Sequence, residues 1–420
     1  MPQHPFVAVD AVNARNLSLG VAALLATAAA AELALRALLE PSELCYAALL
    51  GTELPPCRLP SPYAPPVQAG REEPYADLVV DGRRITVGDL SGIARHDPLV
   101  GYVAQENAAS VNGWWITDHR GARVAREPGT GDAAARVRML VLGESFAVGS
   151  RLPYEETWAF ALDADPAIEV VNFGMDGYGM GQSYLRYRSV RDAAEHDVVL
   201  LMFVPEVDLW RDVNVRRDVG GGWPLYWVLP RFALTDGRLE LVESPFTGPA
   251  PQDPQDTQRQ LDEHLQRFDR LYVAGRYEEP SLLGRSVVHK VMTTAYRTYR
   301  VSRYRAGLLR AESEAVQVTA AIVRAFDADV TAAGKRFVLA VLPTEHELTT
   351  GRGAYWDEWK RMVGAVCGDT ISCIDLSDGL REMPRAQIDQ GYDATHYGPT
   401  VNRRIAGFLR DYLLAEGLYR

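Results

Sequence analysis

None of the four cysteines in this 420-residue chain stands in a C-x-x-C pair, so the chain lacks the spacing of a cysteine zinc site or a dithiol redox site. The H-E-x-x-H pattern is missing too: His346, in the segment TEHEL, has no histidine four residues on and is a poor metal ligand. Positive charge is in deficit. Lys+Arg 44 against Asp+Glu 55 gives a net charge of -11, which excludes a general attraction to nucleic acid or anionic lipid and leaves only a local basic patch open. A long uncharged run is also lacking. LSLGVAALLATAAAA, from Leu17 to Ala31, stops short of the roughly 20 residues of a membrane span. Extending it through Leu39 takes in Glu32 and Arg36 near one end, where a long side chain can snorkel to the interface.

The hydrophobic fraction of 47% and charged fraction of 24% are those of a globular protein, and the length suits one large domain with additions or two domains. Three readings compete for the N-terminal segment. It is a signal anchor, a cleaved signal peptide with the small residues Ala28 to Ala31 as its cleavage site, or an Ala-rich soluble helix; the thin positive charge before it weakens the second. Cys45 and Cys57 lie close together, as do Cys367 and Cys373, and two such pairs suggest local disulfides in an oxidising compartment, the alternative being four buried thiols. Proline and turn formers from Pro55 to Pro74 suggest an extended stalk, and DLVVDG, RRITVG and GWWITD suggest a β-rich lead-in between Ala76 and Val124.

From Arg136 onward, apolar strand patterns alternate with helical ones. RMLVLG, EVVNFG, DVVLLMFV, FVLAVLP and SCIDL read as strands; Glu155 to Asp163, Gly181 to Ala194, Glu312 to Ala333 and Pro399 to Leu414 read as helices. Such alternation predicts an α/β fold with a central, mostly parallel sheet between helices. The expected organisation is an N-terminal anchor or signal over 1–40, stalk and lead-in over 41–135, the first part of the main domain over 136–210, an insertion or cap over 211–310, and its second part over 311–420. Within the insertion, YRTYRVSRYRAGLLR mixes arginine with tyrosine. A glycan or a membrane surface would suit it, as would a helix with one solvated basic face.

In RMLVLGESFAVGS a buried-strand pattern ends on Ser145, fenced by Gly143 and Gly149. The plain reading is a serine in an ordinary turn. The chemical reading is a nucleophile at the sheet edge where open parallel sheets bind ligands. DATHYGPTVNRRIAGFLRDYL supplies candidate partners: Asp393 and His396 are three residues apart just before a helix, so the imidazole can take the Ser145 proton while the carboxylate holds its tautomer.

The order GESF, NFGMDGYG, PEVDLWRD and DATH resembles the SGNH, or GDSL, hydrolase superfamily. HDPLVGYVAQENA and LPRFALTDGRLELVESP are similar to its membrane-anchored branch associated with exopolysaccharide gene clusters. The resemblance implies a three-layer fold with Ser145 as nucleophile, His396 as general base and Asp393 orienting it. It also implies an oxyanion hole made by the backbone N–H groups of Ser145 and Gly177, with Asn172 and Gly174 shaping the second turn. Two positions depart from the family. Glu144 stands where the first block usually carries Asp, and Val207, before Asp208, stands where the third block carries the Asn that donates to the oxyanion. Valine has no donor, so another group, Arg211 or a residue of the insertion, must replace it or the rate falls by roughly 10² to 10³.

The implied activity is an extracytoplasmic serine esterase that removes O-acyl groups, acetyl above all, from a carbohydrate, with no metal or organic cofactor. Its implied partners are the acylated glycan, the membrane through the N-terminal segment, and components of exopolysaccharide assembly, but no nucleic acid. A polysaccharide O-acetyltransferase would use the same triad, and Val207 also fits a catalytically weak carbohydrate-binding or assembly protein.

Overall fold

The computed structural model describes residues 8–42, 45–57, 78–80, 83–85, 93–110, 113–125, 136–215, 228–247, 254–273, 283–391 and 395–418. Asp393, the segment VGGGW and the expected stalk beyond Cys57 lie outside the described residues. The chain forms two compact units, one of residues 1–60 with 271–303 and the other of residues 61–270 with 304–420. The interval 211–310 is therefore divided between the two units.

The smaller unit contains helix α1 (Ala8–Ala37) and the strands β1 (Leu39–Glu40), β2 (Cys45–Leu49) and β3 (Thr52–Cys57), which form an antiparallel sheet. Its Leu19–Ala37 portion is long and apolar enough to cross a membrane. Cys45 and Cys57 face each other across β2 and β3 and form a disulfide. The unit also holds most of a long helix, α7 (Val287–Ala306).

In the larger unit two hairpins come first, β4 (Leu78–Val80) with β5 (Arg83–Ile85) and β6 (Ala94–Asp97) with β7 (Gly101–Ala104). The central sheet is built from β8 (Ile116–Thr117), β9 (Arg123–Val124), β10 (Val137–Leu142), β11 (Ile168–Asn172), β12 (Val198–Phe203), β15 (Arg336–Val341) and β16 (Cys373–Asp375). Their order is β16-β15-β12-β10-β11-β9-β8. The five long-range strands run parallel, and β9 and β8 add antiparallel at one edge, so part of the lead-in belongs to the main sheet. A hairpin of β13 (Arg231–Thr235) and β14 (Arg238–Val242) packs on the helices rather than pairing with this sheet.

The apolar runs of the inner strands have a direct physical use. Alternate residues feed two cores, one on each face. Leu140, Leu142, Val199, Leu201 and Leu339 face α4 (Met180–Val190), α8 (Glu314–Ala332) and α10 (Gly353–Cys367). Met139, Val141, Leu200, Met202 and Val338 face α3 (Trp158–Asp163) and α12 (Pro399–Ala415). The result is the three-layer α/β arrangement expected from the alternation. Cys367, the last residue of α10, is joined to Cys373 at the start of β16 by the second disulfide.

Strand β10 is paired on one side with β11 and on the other with β12, so the chain reverses direction of travel across the sheet at β10. That makes the end of β10 the switch point where a crevice opens in a doubly wound sheet. Ser145 stands three residues beyond it.

Candidate active site

Ser145 opens the short helix α2 (Ser145–Val148), and the turns around it are shaped by glycine. Gly143 has φ 144°, and a Cβ there would lie 2.5 Å from the Ala147 Cβ; Gly149 has φ 73°, and a Cβ there would lie 2.4 Å from Thr157. Neither position admits a side chain without displacing its neighbours. The two glycines thus let the chain leave β10, turn sharply through Ser145 and pass close to α3.

His396 comes from the opposite end of the chain. Its Nε2 lies 2.8 Å from Ser145 Oγ, and the Thr395 hydroxyl lies 3.0 Å from its Nδ1. Serine and imidazole are 6% and 7% exposed, enough to meet a substrate on one side only. The Phe146 ring packs against the imidazole with centroids 4.6 Å apart.

The loop carrying His396 is fixed by the start of α12. That helix begins at Gly398-Pro399 without a capping side chain of its own, leaving amides that need acceptors. Asp389 supplies them from the loop, accepting from the Thr400 and Val401 amides at 2.8 and 3.0 Å. Asn402 then ties this loop to the other side of the site. Its side-chain amide donates to the Tyr397 and Gly398 carbonyls, both at 2.9 Å, while its oxygen accepts from the Trp158 amide at 3.0 Å. Trp158 in turn donates through Nε1 to the Phe146 carbonyl at 2.9 Å. The nucleophile turn and the histidine loop are therefore joined through two buried side chains.

The departure at Glu144 has a clear structural result. Its carboxylate caps α2, accepting from the Phe146 amide at 3.0 Å, and also accepts from Ser145 Oγ at 2.6 Å. The serine hydroxyl has one proton and two neighbours that can take it. Burial raises the Glu144 carboxyl above the usual range, opposed by the Arg211 charge and by the hydrogen bonds from Ser145 and Phe146.

A second carboxyl reinforces this. Asp208 sits on α5 (Pro205–Arg211), fully buried, with one oxygen accepting from the Val204 amide at 2.7 Å and the other without a partner among the described residues. Burial first, then the nearby Glu144 charge, push it well above the ordinary range. Two buried carboxyls that repel cannot both ionise cheaply, and the upward push is the stronger on Asp208. Arg211, the compensating cation, donates to the Tyr178 carbonyl at 2.8 Å and so binds the third block to the second.

The second block follows β11. Asn172 donates to the Ala147 carbonyl and accepts from the Gly174 amide, at 3.0 and 2.9 Å, which fixes the turn against α2. The Met175 amide donates to the Gly143 carbonyl at 3.1 Å, so the turns after β10 and β11 are stitched together. Gly177 lies two residues on, with φ 76°. Asp176 before it accepts from the Ser150 hydroxyl, and its carbonyl accepts from Tyr102 at 2.5 Å. Beneath these turns Arg123 is 2% exposed and donates to the carbonyls of Trp114, Val148, Gly149 and Leu152; burial pushes its guanidinium down to about 10.

Of the residues expected from sequence, Ser145 and His396 meet directly, and Asn172, Gly174 and Gly177 occupy the neighbouring turn. Val207 is on α5, half-buried against the α3–α12 core. His346 is exposed on α9 (Glu345–Thr350). Arg123, Trp158, Asp389 and Asn402 were not singled out. Only Asp389 left a sequence signal, namely a helix starting at Gly-Pro with no cap beside it.

No family model matches the chain, and no curated protein matches it. Among solved structures it is similar to a member of the lipolytic protein G-D-S-L family from Veillonella parvula, at 12% identity over 67% of this chain and 97% of that one, with a TM-score of 0.30. It is also similar to the psychrotrophic esterase EstA from Pseudoalteromonas, at 12% identity over 66% and 97% of the two chains, with a TM-score of 0.31. The acetyl xylan esterase Est2A from the rumen bacterium Butyrivibrio proteoclasticus is a third, at 9% identity over 71% and 68%, with a TM-score of 0.30.

Proposed function

We propose that the chain is a serine esterase of the SGNH type, tethered outside the cytoplasm, that removes acetyl groups from the hydroxyls of a carbohydrate. The observation that carries this reading is the 2.8 Å pairing of Ser145 Oγ with His396 Nε2 at the switch point of a parallel sheet. The resemblance of the four sequence blocks supports the family and the carbohydrate. The apolar Leu19–Ala37 helix and the two disulfides support the location.

In the first half-reaction Ser145 Oγ bonds to the acyl carbon as its proton passes to His396 Nε2. The carbonyl oxygen becomes an oxyanion, met by the backbone N–H groups of Ser145 and Gly177. Collapse breaks the bond to the sugar oxygen, and His396 returns the proton to that oxygen. Water, deprotonated by His396, then attacks the acyl carbon; the bond to Ser145 Oγ breaks as His396 returns the proton to that oxygen, and the acid leaves. Asp393 serves to hold the imidazole tautomer, in company with the Thr395 hydroxyl already beside Nδ1. Arg211, whose charge reaches Glu144, is the group we assign to make up for the donor missing at Val207.

Incubation with an aryl acetate, with and without an oligosaccharide acceptor, tests the reading. Free acetate released by the wild type and lost in Ser145→Ala supports the esterase. Acetylated sugar would make the chain a transferase with the same acyl-enzyme, and neither product would make it a binding protein on a hydrolase scaffold.

A further inference from the structure

The arginine- and tyrosine-rich segment plays no part in the catalytic site, and the smaller unit gives it a physical setting. Glu32, which interrupts the apolar run of α1, accepts from the Ser286 hydroxyl at 2.8 Å and from the Val287 and Val288 amides at 2.9 and 3.1 Å. It thus caps the N-terminus of α7. Arg36, one turn further along α1, bonds Glu32 and donates to the Arg285 carbonyl at 3.0 Å. Lys290 donates to the Pro55 carbonyl at 2.7 Å and lies over the Tyr46 ring, fixing the same end of α7 to the disulfide-closed hairpin. The two helices are joined at these ends, and no extended packing between them occurs among the described residues. Charges that are awkward inside an apolar segment are therefore the joint that starts α7 where the apolar segment stops.

Beyond that joint α7 shows an unusual face. His289, Met292, Tyr296, Tyr299 and Arg303 recur at alternating spacings of three and four, which places them in one stripe. Met292, Tyr296 and Tyr299 are 66%, 56% and 61% exposed. Arg300 flanks the stripe, exposed, and also donates to the Tyr272 carbonyl at 3.3 Å. From residue 281 to 311 there is no Asp or Glu, although the whole chain carries a net charge of -11. A merely solvated helix face accounts for the arginines but gives no reason to expose a methionine and two tyrosines between them.

We propose that α7 lies on an anionic phospholipid bilayer, with Met292, Tyr296 and Tyr299 in the interfacial layer and Arg300 and Arg303 on lipid phosphates. The inference rests on reading α1 as a membrane span. Tyrosine suits the interface because its ring is apolar and its hydroxyl polar, and the arginine fork matches phosphate oxygens. The span supplies the rest: a helix whose first turn is bonded to the end of α1 is held beside the headgroups, so a surface too weak to recruit a soluble protein is occupied at high effective concentration. A polysaccharide would find the same charge but gives no role to the joint with α1.

The test uses the full-length chain, whose native cysteines are all paired. Single cysteines at Leu25→Cys, Ser302→Cys and Arg303→Cys each receive an environment-sensitive fluorophore, and the proteins are reconstituted into phosphatidylcholine vesicles with or without phosphatidylglycerol. The label at position 25 reports insertion of α1 through quenching by spin labels deep in the acyl chains. The label at position 303, on the stripe, should be quenched several-fold more strongly by headgroup-level spin labels when phosphatidylglycerol is present. Its sequence neighbour at position 302, on another face, should not. With Arg303 already replaced by the label, Arg300→Glu removes the remaining phosphate contact and should abolish the difference. Insertion at position 25 with equal quenching at 302 and 303 in both vesicles would overturn the surface reading and leave the anchor standing. No insertion at position 25 would overturn both. A response at 303 to a soluble anionic oligosaccharide but not to phosphatidylglycerol would overturn the lipid assignment.

Discussion

Replacing Glu144 tests how the nucleophile's proton is divided. With Glu144 ionised, its oxygen 2.6 Å from Ser145 Oγ competes with His396 Nε2 for the one hydroxyl proton. With Glu144 protonated, the carboxyl donates to Oγ and leaves the serine proton to the imidazole. Burial raises this carboxyl, so the productive state persists to higher pH than for an ordinary glutamate and is lost as pH rises through the raised value. A hydrogen bond to a charged group is worth about 1.5–3 kcal/mol, so holding the serine proton on the ionised carboxylate should slow acylation by about 10- to 150-fold. Glu144→Gln retains a donor to Oγ and an acceptor for the Phe146 amide but cannot ionise. Its kcat/KM for an aryl acetate should stay high into the alkaline range where the wild type declines. Glu144→Asp, shorter by about 1.5 Å, withdraws from Oγ while keeping an acceptor near the start of α2, and should likewise relieve the decline. Wild type and Glu144→Gln giving parallel profiles, with a constant ratio at every pH, would refute the division of the proton.

Asn402→Ala leaves the Trp158 amide and the Tyr397 carbonyl without this partner, and should cost about 2–3 kcal/mol in urea unfolding while lowering kcat through the displaced His396 loop. Glu347, buried and bonded to Tyr355 and the Thr344 amide, is pushed up from 4.5 to about 7, chiefly by burial. Its contribution to stability is therefore full below pH 4.5 and lost as pH rises through 7, a decline of up to about 3 kcal/mol that should be absent from unfolding curves of Glu347→Gln. Val207→Asn restores the amide that the third block lacks; it should raise kcat on an aryl acetate while costing about 1–3 kcal/mol of stability if the amide is buried without partners. An unchanged kcat in a folded variant would show that Val207 is not at the oxyanion position.

The parts of this architecture that depend on continuous apolar runs were legible in the sequence. Met139 to Leu142 and Val198 to Phe203 are buried on both faces, so their pattern contains the strand directly. The meeting of Ser145 with His396 was legible from the order of short motifs rather than from any local propensity. The addition of β8 and β9 to the main sheet was not, because these strands are two residues long and their pairing depends on the sheet edge. Nor was the role of Glu144, since the extra methylene that lets its carboxylate reach both the Phe146 amide and Ser145 Oγ acts only once the turn is closed. Asn402 looked like one polar residue on an amphipathic helix. Its buried amide gains meaning from Trp158, far away in sequence, which packing brings beside it.

Rapid quenching of an aryl acetate reaction followed by intact-protein and peptide mass spectrometry measures the central claim most directly. The wild type should carry one acetyl group in the early turnover phase, located on Ser145, and this adduct should vanish as acetate is released. His396→Ala and Ser145→Ala should form none. An acetyl group on another residue, or steady acetate release by Ser145→Ala at the wild-type rate, would contradict the assignment of Ser145 and His396 as the acyl-transfer pair.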